Sequence, residues 1–321
     1  MIPLAMVQAL AAQGTQMFLV LLLAPLLVGY VRFVKARLQR RRGPSVLQPY
    51  RDLLRLLRKE VVLPDTSSWV FRAAPYAICS FTWVAAALVP TFATNLLFSW
   101  SGDLIAIIAL LGTARFLQAL AALDAGTGFG GLGSSREVMI ASLAEPALTM
   151  LVFAVALIAG TTQLSAIAAA VLAPDLGLRV SMALALIGFV IVAIAENARI
   201  PVDNPASHLE LTMVHEAMVL EYSGRYLAMM DLAAALKLLM YASLIACVFC
   251  PWGLAPARSG LIHYAIGMAA WGGKMLVAGT ALAVFETITA KMRVFRVPDF
   301  LGIALMLGLL GTLLLFVSRS L

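Results

Sequence analysis

Of the 321 residues, 62% are hydrophobic and only 12% charged, with a formal net charge of +7. Soluble domains carry about 25% charged residues, so this composition, with a mean hydropathy of +0.97, excludes a soluble globular chain. It also excludes a β-barrel, whose spans would be short and alternating, and the basic excess reads as membrane orientation, with no nucleic-acid partner.

Eight apolar runs of about twenty residues are each long enough to cross a bilayer as a helix. They lie at about 16–34, 73–92, 103–123, 138–159, 179–196, 231–250, 263–286 and 300–317. The expected fold is an all-α polytopic membrane protein, a single integral domain over 1–321. The first run lacks a basic flank and a small-residue cleavage site, so it reads as a retained helix rather than a signal peptide. Transporters built from inverted repeats show matched broken helices, and no such pair is visible.

The connection after the first run reads KARLQRRRGPSVLQPYRDLLRLLRKEVVLPD. Gly43 and Pro44 break the chain after a basic cluster. Leu53, Leu54, Leu56 and Leu57 then recur at helical spacing among Arg51, Arg55, Arg58 and Lys59. This predicts an amphipathic helix over about 45–60 lying on the membrane face. Its bland role is an anchor on anionic lipid; its sharper role is a dock for a soluble partner or a mouth for an amphipathic substrate.

The connection before the fourth run reads LDAGTGFGGLGSSREVMIASLAEP. Gly128, Gly130 and Gly133 match G-x-G-x-x-G by letter only, since no strand precedes them. They are expected to allow a tight re-entry into the fourth helix, with Ser134 and Glu137 forming its capping box. Arg136 would then face the surface. The Ala-rich piece at 164–173, closed by Pro174 and Gly177, predicts a short interfacial helix.

The connection after the fifth run, AENARIPVDNPASHLELTMVHEAMVLEYSG, holds five carboxylates and two histidines in thirty residues. Pro201 and Pro205 impose irregular backbone, and a helix is expected over about 206–221. At ~100° per residue, Glu210 and Glu221 would share one face. His215-Glu216 begins like a zincin motif, but Val219 stands where the second histidine is needed. Two histidines make a poor metal site. Cys247 and Cys250 form C-x-x-C, yet an iron–sulfur cluster wants four ligands and only Cys79 remains.

Lysine and arginine fix the expected orientation. The first, third, fifth and seventh connections carry 17 of them, the other side 3, and predicted helices 3 (Arg115, Lys237, Lys274). Positive residues stay inside, so the chain is expected N-out and C-out, with its functional loops in the cytoplasm.

Six ionisable residues fall within or at the inner ends of the runs: Arg115, Glu145, Glu196, Lys237, Lys274 and Glu286. Each costs roughly 2.5–3.5 kcal/mol at a helix centre, so they should face protein or a wet interior. As structural pairs they would lock helices together. As a relay, with Asp124, Glu137, Asp203, Glu210 and Glu221, they would form a titratable funnel leading from the cytoplasmic face into the bilayer.

The acidic connection resembles the signature loop of the complex I membrane subunit 1 family, whose pattern is close to E-x-x-R-x-P-F-D-x-P-E-A-E-x-E-L…E-Y-S-G. RRRGPSVLQPYRDLLRLLRKE and GSSRE…EP resemble two further regions of that family. AKMRVFRVPDFLG has the form seen in its hydrogenase relatives. Ala206-Ser207-His208 and Val202 depart from the respiratory pattern. With R-V-P-D they make the chain most similar to the membrane subunits of group 4 nickel–iron hydrogenases, the formate hydrogenlyase and hydrogenase-4 type.

The resemblance implies an eight-helix energy-coupling anchor in the bacterial inner membrane, part of an oxidoreductase complex and not itself catalytic. Its partners would be a hydrogenase-like large subunit, a small iron–sulfur subunit, a ferredoxin-like iron–sulfur subunit, antiporter-like membrane subunits and the lipid bilayer. The nickel–iron centre and iron–sulfur clusters would sit in those partners, and this chain would bind no cofactor or metal of its own. Quinone belongs to the alternative, a respiratory NADH dehydrogenase (complex I) subunit. Glu145, Glu196, Asp203, Glu210, Glu221, Glu286, Lys237, Lys274 and Arg115 are the expected proton-path residues. Arg41, Arg42, Arg51, Arg136, Arg199, Arg293 and Arg296 are the expected docking residues.

Overall fold

The computed structural model describes residues 4–173, 180–203, 213–256 and 260–320. Among them there is no sheet. The helices are α1 (Leu4–Leu38), α2 (Gln48–Leu57), α3 (Trp69–Leu88), α4 (Leu104–Asp124), α5 (Gly128–Ala159), α6 (Leu164–Leu172), α7 (Val180–Glu196), α8 (His215–Val219), α9 (Gly224–Phe249), α10 (Leu261–Ile288) and α11 (Val297–Ser320).

Seven of these are long and apolar enough to cross a membrane, and α7 is an apolar helix of 17 residues. At 1.5 Å per residue α7 is about 26 Å long, at the short end of what spans a hydrocarbon core. The eight apolar runs are therefore eight helices. Most extend past the hydropathic edges, because a helix continues until its backbone ends are capped rather than until its side chains turn polar.

α5 illustrates this. It starts at Gly128, where Thr127 is the N-cap and accepts from the Gly130 amide at 3.2 Å. The capping box expected at Ser134 and Glu137 is not formed. Ser134 is buried mid-helix and donates to the Ala119 carbonyl at 3.1 Å. The glycines allow close approach rather than a turn. A Cβ on Gly130 would lie 2.4 Å from the Ala122 carbonyl oxygen, and one on Gly133 would lie 2.9 Å from the Ala217 Cβ.

The long helices alternate in direction, so their ends gather into two layers. At the polar end, Asp124 closing α4 caps α3, accepting from the amides of Ser68 at 2.8 Å and Phe71 at 3.2 Å. Tyr222 stacks on Phe71 with ring centroids 4.0 Å apart. Ser223 bonds both backbone groups of Val62 at 2.8 Å. The Met292 amide donates to the Pro201 carbonyl at 2.9 Å. At the opposite end, short bridges join Ala93 to Ala255 and Asp103 to Gln163.

The core between the layers sets alanines, among them Ala85, Ala86, Ala147, Ala168, Ala185 and Ala235, among leucines, valines and the larger Phe189, Tyr241 and Trp271. In lipid, apolar burial gives little net drive. Small residues allow close backbone approach, and van der Waals contact supplies the attraction. α6, the expected interfacial helix, buries Leu164, Ser165, Ile167 and Ala168, so one face packs into the fold. α2 is amphipathic and has no fully buried residue.

Of the helix expected over 206–221, the described residues contain only α8, five residues long. Glu210, His208 and Pro205 lie outside the described residues.

Candidate functional site

Arg115 is the hub of the site. It sits midway along α4, buried at 7% exposure. Its guanidinium meets Glu196 at the end of α7. It also lies 3.6 Å from Glu137 and 3.6 Å from Glu145, both on α5. Lys237 of α9 reaches the same Glu196 oxygen at 3.1 Å. Glu137 and Glu145 are eight residues apart on α5, so one helix offers both carboxylates to one cation.

With every group ionised, two cations face three carboxylates and the cluster carries one excess negative charge. Glu196 Oε1 and Arg115 Nε and Nη1 are buried with no protein hydrogen-bond partner. Such atoms are places for bridging water.

A second cluster has the opposite sign. Glu286 of α10, 5% exposed, lies 2.9 Å from Lys35 and 3.3 Å from Arg199. Burial holds the Arg199 guanidinium below the ordinary arginine pKa, and the Glu286 charge opposes that fall. A third cluster centres on Asp203. Asp203 pairs with Lys291 at 2.8 Å and accepts from the backbone amides of Val214 and His215 at 3.3 Å each, which anchors the start of α8.

The first two clusters, apart from Glu145, line one cavity of about 590 Å³. Its apolar wall includes Pro25, Val28, Val31, Leu53, Ile78 and Leu111; its charged wall adds Arg32, Asp52, His215, Glu216 and Asp231. His215 Nδ1 and the Gln118 amide nitrogen are 3.0 Å apart.

The fold thus gathers Arg115, Glu137, Glu145, Glu196 and Lys237, and brings Glu286 to the same cavity. Glu145 reaches α4 as well but is 49% exposed and does not line the cavity. Lys274 stands apart. It donates to the Cys250 carbonyl at 2.5 Å, and twelve residues along α10 place it about 18 Å from Glu286. Asp124 is used as a helix cap. Glu221 is half-buried in the turn after α8.

Of the expected docking residues, Arg41, Arg42, Arg51, Arg293 and Arg296 lie at the polar end, all five exposed. Arg199 is turned inward to Glu286. Arg136, expected free at the surface, donates instead to the Met213 carbonyl at 2.8 Å. Sequence reasoning misses Lys35, Lys291, His215, Gln118 and Asp231 as site residues. Asp231 is visible as a lone acid at the edge of a run. Lys35 and Lys291 enter it only as orientation signals. Among the described residues no group of three or more His, Cys, Asp and Glu is placed to hold a metal ion.

A polytopic helical membrane protein, with an ionic network buried between its spans and opening on an internal cavity, is the class that fold and site define. The chain belongs to the NADH dehydrogenase family, whose profile matches residues 12–317. It is 35% identical to formate hydrogenlyase subunit 4 of Escherichia coli (strain K12) over 276 residues, covering 86% of this chain and 88% of that protein. It is 37% identical to hydrogenase-4 component C of the same organism over 244 residues, 76% of each. It is 29% identical to NADH-quinone oxidoreductase subunit 8 of Rhodothermus marinus over 248 residues, 74% of this chain and 71% of that protein. Its fold is that of a chain in the membrane-bound sulfane sulfur reductase, an archaeal respiratory membrane complex. That similarity has a TM-score of 0.80 at 19% sequence identity and covers 96% of this chain and 99% of the other.

Proposed function

We propose that the chain is the membrane anchor and energy-coupling subunit of a hydrogenase-type oxidoreductase complex, of the formate hydrogenlyase and hydrogenase-4 kind, in a bacterial inner membrane oriented N-out and C-out. The observation that carries the reading is the cluster of three carboxylates and two cations, of which Arg115, Lys237, Glu137 and Glu196 stand on the wall of one cavity. One carboxylate always lacks a cation of its own, so a proton is the natural third counter-charge.

The chain's work is electrostatic. Its partners are a hydrogenase-like large subunit, a small iron–sulfur subunit, a ferredoxin-like iron–sulfur subunit and antiporter-like membrane subunits. The nickel–iron centre and iron–sulfur clusters reside in those partners and supply the redox chemistry. Arg41, Arg42, Arg293 and Arg296 meet the soluble arm. A change of charge there is felt through Asp203, Glu221 and Arg136, and shifts the protonation balance of Glu137, Glu145, Glu196 and Glu286. At roughly 4 Å and an effective dielectric near 20, one unit charge moves its neighbour by about 4 kcal/mol, enough to transfer a proton.

The test is Glu196→Gln and Glu210→Gln in the assembled complex, read in inverted membrane vesicles. Proton pumping should be lost or turnover slowed while all subunits still co-purify. Normal turnover with normal pumping in both variants overturns the role.

A second reading rests on the cavity, whose apolar wall and charged end suit an amphiphile such as quinone. It makes the chain the quinone-binding membrane subunit of a respiratory NADH dehydrogenase. Purification with elemental analysis separates the two. Nickel with iron supports the first. Iron without nickel, with flavin and quinone-dependent activity blocked by quinone-site inhibitors, supports the second.

A further inference from the structure

α2 has three faces. At ~100° per residue, Pro49, Asp52 and Leu53 turn one way and line the cavity. Leu54 and Leu57 turn another way and are 56% and 48% exposed. Arg58 and Arg51 follow about 40° and 60° beyond Leu54, and both are exposed. An exposed leucine pair therefore borders an exposed arginine pair along one edge of the helix.

The level of this edge in the membrane is set by α1. The Val46 carbonyl oxygen passes so near Gly29 that a Cβ there would lie 2.0 Å away. The Tyr50 hydroxyl donates to the Leu22 carbonyl. α2 thus lies against the apolar part of α1, which runs on to Leu38, about 13 Å beyond Gly29. On α3, Trp69 is 76% exposed and Arg72, one turn on, is also exposed. Tryptophan and snorkelling arginine mark the headgroup level.

The charge at this level is one-sided. From Arg37 to Lys59 the chain carries eight cations and one carboxylate, Asp52. Asp52 is taken by Arg55 at 3.2 Å, which leaves Arg51 and Arg58 without a carboxylate from that segment.

We propose that this edge binds an anionic phospholipid of the adjoining leaflet. Its phosphate lies between Arg51 and Arg58, and its acyl chains lie along Leu54 and Leu57. Guanidinium matches phosphate in shape and charge, and leucines at the same edge match hydrocarbon, whereas an acidic soluble protein would leave them unsatisfied. This assigns Arg51 to lipid rather than to docking and goes beyond the proton-coupling reading. Because α2 also walls the cavity, the lipid would hold that wall in place from outside.

The test uses the whole complex in nanodiscs containing equal phosphatidylglycerol and phosphatidylcholine, with co-purified lipid counted by native mass spectrometry after extraction. The wild type should retain phosphatidylglycerol in preference. The doubly substituted Arg51→Gln, Arg58→Gln complex should lose that preference by roughly tenfold or more. An Arg40→Gln, Arg225→Gln complex, altered at two other exposed arginines of the polar end, should keep it. Equal retention of both lipids by the wild type overturns the site. So does equal loss in the two double variants, which would signify bulk charge, or a partner subunit seated on Arg51 and Arg58 in the assembled complex.

Discussion

The ammonium of Lys35 lies 2.9 Å from a carboxylate oxygen of Glu286, joining the last turns of α1 and α10 across 251 residues of sequence. Arg199 takes the other oxygen at 3.3 Å. One buried carboxylate therefore serves two cations from two further segments. The Arg115 cluster has the reverse arrangement, with carboxylates in excess.

This sharing predicts unequal costs. Glu286→Gln leaves both Lys35 and Arg199 without a carboxylate, and breaking a buried pair costs about 3–5 kcal/mol. Lys35→Met leaves Glu286 still paired with Arg199 and should cost clearly less. Thermal unfolding of the complex in mild detergent measures both. Equal losses would show that Glu286 is not shared in this way.

Two helical glycines should respond oppositely to alanine. At Gly29 the new Cβ would meet backbone, the Val46 carbonyl, at 2.0 Å. The 44–49 segment must then move, and overpacking of this kind costs about 1–3 kcal/mol. At Gly131 nothing lies within 4 Å, so alanine should gain roughly 0.5–1 kcal/mol of helix stability. Hydrogen exchange should quicken over α2 in Gly29→Ala and stay unchanged in Gly131→Ala. Unchanged exchange in both would mean α2 is not seated on Gly29.

Tyr222 gives a pH prediction. Burial first, and then the Asp124 charge, raise its phenol above the ordinary value of 10.0. The unfolded tyrosine ionises near 10 while the folded one stays neutral. Its contribution is thus fully present below pH 10 and is lost as pH rises above it. Tyr222→Phe should remove that share of the alkaline loss. At neutral pH it should cost about 0.5–1.5 kcal/mol for the lost bond to the Phe71 carbonyl. An unchanged slope of stability against pH above 10 would count against the assignment.

The spans were legible because each depends on about twenty consecutive apolar residues, and that signal is local. The site was legible only in kind. Glu145, Glu196, Lys237, Glu286 and Arg115 stood out because charge in a span is costly. Which of them meet was not readable. Helices apolar all round carry almost no moment, so nothing in α4 alone says that Arg115 faces α5 and α7. The capping box at Ser134 failed for a similar reason. Two starts were open to α5, and Thr127 prevailed once Gly130 and Gly133 could pack against neighbouring backbone and side chains.

By itself, the sequence determined that this protein lives in a membrane, where its helices run, and that its acid is concentrated between the fifth and sixth of them. Only the tertiary structure decided that Lys35 answers Glu286, that Lys291 answers Asp203, that Lys274 stands apart, and that two clusters of opposite sign share a cavity. The division follows from range. Crossing the bilayer is settled within one segment by backbone hydrogen bonds and apolar side chains. Pairing a buried charge depends on the rotation and depth of helices far apart in sequence, and these are set when small-residue faces pack together.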